Sequence, residues 1–167
     1  MIRLVVGYAN LFNSVGSTSE GPEVFKPGAF SGILARRGQE VRLVRQHEWH
    51  WRIASTTDLR SGFLSLSQDH RGLRFVAELS DSVMSDYIAG ELRRGVLWGC
   101  SISFVSHKRR GCFQGMSVIE RDNVTMLREI TLTGRPAYRE TWCQLVEGCN
   151  DADAERRMRL AFVERSL

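Results

Sequence analysis

A hydroxyl, an imidazole and a carboxylate can hydrolyse an acyl bond together. The imidazole takes the hydroxyl proton and the carboxylate orients the imidazole. The 167-residue chain offers such a set in Ser101, His47 and Glu129. Ser101 falls in a segment, 96–105, whose even positions Val96, Trp98, Cys100, Ile102 and Phe104 are apolar, while Gly99, Ser101 and Ser103 are small. With a period of two, Trp98, Cys100, Ile102 and Phe104 face a core. Ser101 and Ser103 face the other side, where a substrate carbonyl meets no bulk. His47 follows a strand-like run at 41–45, and Glu129 lies in a second run, 124–132, that leads to Pro136. The three are remote along the chain, so spacing alone does not join them; triads assemble in space and in several chain orders. On composition alone, a strand serine is more often a surface group, and a lone histidine a hydrogen-bonded or solvated one.

Other groups compete for these roles. Cys100 carries a thiol, but the alternation turns it into the core, where a free cysteine is usually inert. Glu48 follows His47 directly. His50 offers a rival base or a second orienting residue, and its place between Trp49 and Trp51 favours a structural role. His70 falls in an expected turn and His107 lies beyond the serine strand, both solvated. Cysteines at 100, 112, 143 and 149 form no C-x-x-C pair, so no metal and no cofactor is expected. The N-terminus lacks the apolar run of a secretion signal, which points to an intracellular chain with reduced thiols.

The elements that must position these groups are mostly strands. Residues 2–12 alternate and are rich in β-branched and aromatic types; 13–21 read as a loop. Pro27-Gly28 opens a short helix over 29–35, stopped by Gly38. Further strands are expected at 41–45 and 53–58, then a hairpin of 62–67 and 73–79 around the turn Asp69-His70-Arg71-Gly72. Ser80 or Ser82 caps a helix in which Val83, Tyr87, Ile88 and Leu92 recur at helical spacing, closed by Arg93-Arg94-Gly95. Strands at 116–119 and 124–132 follow, and Pro136-Ala137-Tyr138 ends the sheet region. Residues 151–167 read as a charged C-terminal helix or tail. The fold class is β-rich α+β, a mostly antiparallel β-barrel with a few flanking helices.

Composition narrows the function classes. The apolar share is 43% and the charged share 25%, ordinary for one globular domain. No apolar run reaches the ~20 residues of a membrane span. Net charge is +4, and 21 of the 23 basic residues are arginine, dispersed as separate pairs rather than clustered with aromatics, which argues against nucleic-acid binding.

Six segments in order carry a resemblance to a known family. Gly7-Tyr8-Ala9 with Phe12-Asn13 is similar to its opening strand, and Phe25-Lys26-Pro27-Gly28-Ala29-Phe30 to its I-x-P-G-A-F turn. His47-Glu48 stands where the family has H-D, and Asp69 to Phe75 resembles D-x-x-G-L-x-F. Arg93-Arg94-Gly95 followed by Gly99 to Phe104 resembles I-x-R-G-x-x-x-G-M-S-F-G-F. Glu129-Ile130-Thr131-Leu132-Thr133 with Pro136-Ala137 resembles E-V-S-x-V-x-x-P-A. Over roughly residues 5–146 the chain thus resembles the HK97-type prohead (capsid-maturation) serine proteases of tailed bacteriophages, whose fold is herpesvirus-assemblin-like.

The resemblance implies a protease domain over 1–150, with Ser101 as nucleophile, His47 as general base and Glu129 as the acid that orients it. Backbone N–H groups near Arg135 or in an Arg109-Arg110 turn are the candidates for an oxyanion hole. Two positions depart from the family: Glu48 stands for its aspartate, and Ser103 for its usual glycine. The implied activity is a serine endopeptidase of phage capsid maturation. It would act in the bacterial host cytoplasm, inside the assembling prohead, on the major capsid protein, on scaffold and on itself. No membrane or nucleic acid is implied, and a homo-oligomer stays open. The alternative is a catalytically degenerate copy acting as a capsid scaffold or binding module.

Overall fold

The computed structural model describes residues 1–58, 60 and 62–164. Among the described residues, ten strands and three helices follow one another: β1 (Ile2–Leu11), β2 (Val15–Thr18), β3 (Gly21–Phe25), α1 (Ser31–Leu34), β4 (Arg42–Arg45), β5 (Glu48–Ser55), β6 (Leu64–Gln68), β7 (Gly72–Glu78), α2 (Val83–Arg93), β8 (Gly99–Phe113), β9 (Met116–Thr133), β10 (Trp142–Gly148) and α3 (Asp151–Glu164). One sheet has four antiparallel strands in the order β10-β1-β7-β6. The second runs β2-β3-β9-β4-β5, and β8 also pairs with β9. The expected barrel is therefore corrected: among the described residues the sheets are two separate ladders, joined by isolated bridges between Phe12 and Phe25 and between Ser55 and Phe63. Nor is the pairing wholly antiparallel, because β3 and β4 both run parallel to β9.

Between the sheets lies the main core, built on Phe25, Phe30, Phe75, Leu43, Leu73, Ile88, Ile130 and Leu132, all at or near zero exposure. Phe30 stacks on Phe25 at 5.3 Å between centroids. A second, smaller cluster covers the outer face of β1 and β10, where Tyr8, Trp142 and Val146 meet Ala161 and Phe162 of α3. The acidic residues Asp151 and Asp153 in its first turn suit the positive end of that helix. Residues 165–167 of the expected 151–167 segment lie outside the described residues.

Several local expectations change for identifiable reasons. The two strands expected at 116–119 and 124–132 are one 18-residue strand, because the polar Glu120 and Arg121 between them are buried in ion pairs and do not break the ladder. The loop expected at 13–21 holds β2 and the turn into β3. The sheet does not end at Tyr138, since β10 returns to pair with β1. Trp98 does not face the core; it precedes β8 and is 39% exposed. Helix α2 is capped by Ser82, whose hydroxyl accepts the Ser85 N–H at 3.2 Å. Its inward residues are Ser85, Ile88, Ala89 and Glu91, with Val83 and Tyr87 turned outward.

Candidate active site

His47 sits in the hairpin between β4 and β5. Arg45 and Glu48 pair across its mouth, leaving Gln46 and His47 as the two loop residues. Their φ angles are 47° and 63°. Two successive left-handed residues define a type I′ turn, for which Asn-Gly is the usual sequence. Each side chain there costs about 1 kcal/mol relative to glycine. The rest of the fold holds the turn in place. The Thr131 hydroxyl accepts the His47 N–H at 2.8 Å and donates to the Val44 carbonyl at 3.4 Å. The Gln46 N–H donates to the Leu132 carbonyl at 3.0 Å. Arg45, just before the turn, forks onto the buried Glu91 of α2 at 2.7 and 2.9 Å and stacks over Trp51 and Tyr87. That contact holds the Glu91 carboxyl below its usual range, because the Arg45 guanidinium donates to it.

Glu129 lies on β9, two residues before Thr131, and its side chain is almost wholly buried. Its Oε1 is 2.5 Å from His47 Nδ1. With Glu129 ionised, Nδ1–H is the donor and Nε2 is left as the acceptor. The imidazole is 55% exposed, so the ring is open to solvent beyond its contact with Glu129.

Ser101 lies on β8 directly opposite Thr131, and Ser103 directly opposite Glu129. Directly opposed residues share a face, so Ser101, Ser103, Thr131 and Glu129 all project to one side of the sheet. Ile130, Leu132 and Cys100 project to the other, into the core. The expected alternation of Ser101 and Cys100 is what the strand has. The segment between β9 and β10 crosses this face. Pro136 lies against Gly99, where a Cβ would come within 2.6 Å of the proline ring. The Ala137 N–H donates to Ser101 Oγ at 3.2 Å. Ser101 makes no hydrogen bond to His47 in this arrangement.

A buried polar cluster fixes that crossing segment. The Tyr138 hydroxyl donates to Glu23 at 2.9 Å, and Arg121 donates to the other Glu23 oxygen at 3.0 Å. Burial and the adjacent Glu23 charge push the Tyr138 phenol far above its usual range. The Ser17 N–H donates to the Ala137 carbonyl at 3.0 Å. Gly16 lies flat on the Tyr138 ring, 2.3 Å from where its Cβ would be, so only glycine fits there.

Other candidates fall away from the site. Arg109 and Arg110 are not in a turn but inside β8, paired with Glu120 and Ile119. They stand eight and nine residues from Ser101, roughly 26–30 Å along a strand, so they cannot supply an oxyanion hole. Arg135 is in the crossing segment, but its N–H is taken by Thr133 Oγ1 at 3.1 Å. His50 is 75% exposed and faces Glu48 at 3.4 Å; neither touches Ser101 or Glu129. His70 and His107 are exposed. Cys100 and Cys143 are buried, and burial together with the neighbouring Cys143 raises the Cys100 thiol well above its usual range. Among the described residues, no three His, Cys, Asp or Glu side chains converge as a metal site would need.

Sequence reasoning missed Thr131, Ala137 and the Arg45–Glu91 pair. A backbone amide such as that of Ala137 leaves no signal in a sequence. Glu91 left one: a carboxylate on the inward side of an amphipathic helix calls for a buried cation.

The family model of the caudovirus prohead serine protease matches residues 1–154. A search of curated protein sequences finds no match. Among solved structures, the KSHV protease in complex with a hexapeptide phosphonate inhibitor superposes with a TM-score of 0.59 at 12% identity, covering 99% of this chain and 76% of that one. The varicella-zoster virus protease gives a TM-score of 0.49 at 12% identity, covering 98% of this chain and 77% of that one. At such identities the KSHV protease likeness establishes the fold, which is herpesvirus-protease-like.

Proposed function

The chain belongs to the caudovirus prohead serine protease family, and from that premise we propose that Ser101, His47 and Glu129 are its nucleophile, general base and orienting acid. Its activity is that of a serine peptidase of capsid maturation. The observation that carries the residue assignment is the buried carboxylate of Glu129 at 2.5 Å from His47 Nδ1, on the sheet face that also bears Ser101.

The chemistry runs through the chain's own groups. Ser101 Oγ attacks the scissile carbonyl carbon, and His47 Nε2 takes the hydroxyl proton as the O–C bond forms. Glu129 holds the tautomer and stabilises the imidazolium. The Ala137 N–H, which holds Ser101 Oγ in the free protein, passes to the carbonyl oxygen as negative charge develops there. The C–N bond then breaks, with His47 returning the proton to the leaving amine. Water repeats the sequence on the acyl-enzyme, giving its proton to His47 and releasing Ser101. The substrates are capsid proteins of the assembling prohead: the scaffolding segment of the major capsid protein, scaffold, and the protease itself.

A fluorophosphonate probe tests the assignment. It labels Ser101 in the native chain and leaves Ser101→Ala and His47→Ala unlabelled. Co-expression of the native chain with its capsid protein yields a shortened product that Ser101→Ala does not give. Equal labelling of the native chain and Ser101→Ala would refute the assignment.

A further inference from the structure

Beyond Glu129, the catalytic face continues into a groove of about 400 Å³ that the chemistry does not use. Leu43 points into the core, so Arg42 and Val44 point to the side of Glu129 and Thr131, their partners on β9. The ladder slips by one residue after Ser103 and Glu129, and Val105 then faces Met126, both more than 40% exposed. Arg36, Arg42, Arg128, Trp49 and Met126 line the groove, with Glu40 as its one carboxylate.

The charges there are unbalanced. Glu40 is engaged by Arg42 at 2.6 Å. Arg36 donates to the Thr125 carbonyl at 3.0 Å, and Arg128 lies against the Met126 sulfur at 3.2 Å. Neither takes part in an ion pair among the described residues. Elsewhere many of the basic side chains are matched, as in Lys108–Glu20, Arg109–Glu120 and Arg93–Glu147. Trp49 is 53% exposed yet held flat by Arg42, 4.7 Å from its ring. The groove thus joins an aromatic platform to two guanidinium groups outside any ion pair among the described residues, with N–H donors left over in the fork geometry that matches a carboxylate.

We infer that this groove is a specificity subsite that takes an acidic stretch of the polypeptide substrate. The inference rests on the peptidase reading and names the substrate chemistry it selects. Ser101 and Val105 are four residues apart on β8, roughly 13 Å along a strand, so the acidic side chains lie three to five residues from the scissile bond. A nucleic acid is the poorer occupant, because the groove offers three guanidinium groups, one of them already paired with Glu40, and Lys108 and Arg109 further along β8 are taken up by Glu20 and Glu120.

The test uses full-length Ser101→Ala protein, which binds without turnover, at low salt. Fluorescein-labelled dodecapeptides of Ala, Leu and Ser carry two Glu, two Gln or two Lys four residues from the central bond; a labelled single-stranded oligonucleotide is the fourth probe. The Glu peptide binds about fivefold tighter than the Gln peptide, the Lys peptide binds weakest, and added salt narrows the spread. Adding Arg36→Gln with Arg128→Gln erases the preference, whereas Arg36→Lys with Arg128→Lys keeps the order. Equal affinity for the three peptides, no binding by any, or tighter binding of the oligonucleotide overturns the inference. Failure of the peptidase reading shows separately, as a native Ser101 that no fluorophosphonate labels.

Discussion

Glu129 is a carboxylate with one oxygen on the His47 ring and the other buried without a hydrogen-bond partner among the described residues. Such a group is compensated best when the ring becomes an imidazolium, which happens in the transition state of acyl transfer. Glu129→Gln keeps the shape and removes the charge. It lowers kcat by about 10³–10⁴-fold with little change in KM, measured on any cleaved peptide. The neighbouring turn makes a second point at this scale. Gln46 holds a left-handed conformation that its side chain disfavours, and asparagine tolerates it better. Gln46→Asn raises stability by about 0.5 kcal/mol, read as a higher urea midpoint at unchanged slope. A fold that keeps a non-glycine pair in a type I′ turn accepts strain at the residue proposed as general base.

At the scale of elements, the segment crossing from β9 to β10 is the least replaceable part of the site. It touches Ser101, the proposed nucleophile, through Ala137 and is seated by Gly99, Gly16 and the Tyr138–Glu23–Arg121 cluster. Gly99→Ala places a methyl 2.6 Å from the Pro136 ring. Backbone on both sides must then separate, and the Ala137 amide leaves Ser101. The rate of fluorophosphonate labelling falls by about 10–100-fold, while circular dichroism stays native. Much of this element structure was legible in the sequence. The period-two pattern of β8 assigned Ser101 and Cys100 to opposite faces, and the Asp69–Gly72 turn located the β6–β7 hairpin. What the pattern did not show was pairing. That β9 continues through Glu120 and Arg121 depends on Lys26, Arg109, Glu20 and Glu23 neutralising them from other elements. That the sheets stay unclosed depends on which edges meet, and alternation along a strand is blind to its neighbour. Trp98 was misassigned for the same reason: parity extends only as far as the ladder does.

For the molecule as a whole, acid is the condition that separates the elements. Glu40, Glu91 and Glu120 each have a carboxyl held below its ordinary value, by contacts from Arg42, Arg45 and Lys26 respectively. A carboxyl whose folded value lies below its unfolded one contributes stability that is full above the unfolded value, near 4.3, and is lost as pH falls through the folded value. The urea midpoint therefore holds steady from pH 7 to about 5 and declines below about pH 4.3. Arg45→Gln flattens that decline, because it removes the cation that depresses Glu91. The same molecule-wide view applies to β9, which is parallel to β3 at one stretch and to β4 at another while lying antiparallel to β8. The contact from His47 to Glu129 spans 82 residues, and Ser101 to Ala137 spans 36. Pairings at such range form late, because loop closure precedes any reward. A chain part-way to its native state holds the serine and the histidine but not their alignment. On the proposed assignment, a newly made copy is harmless until the last long-distance pairing locks.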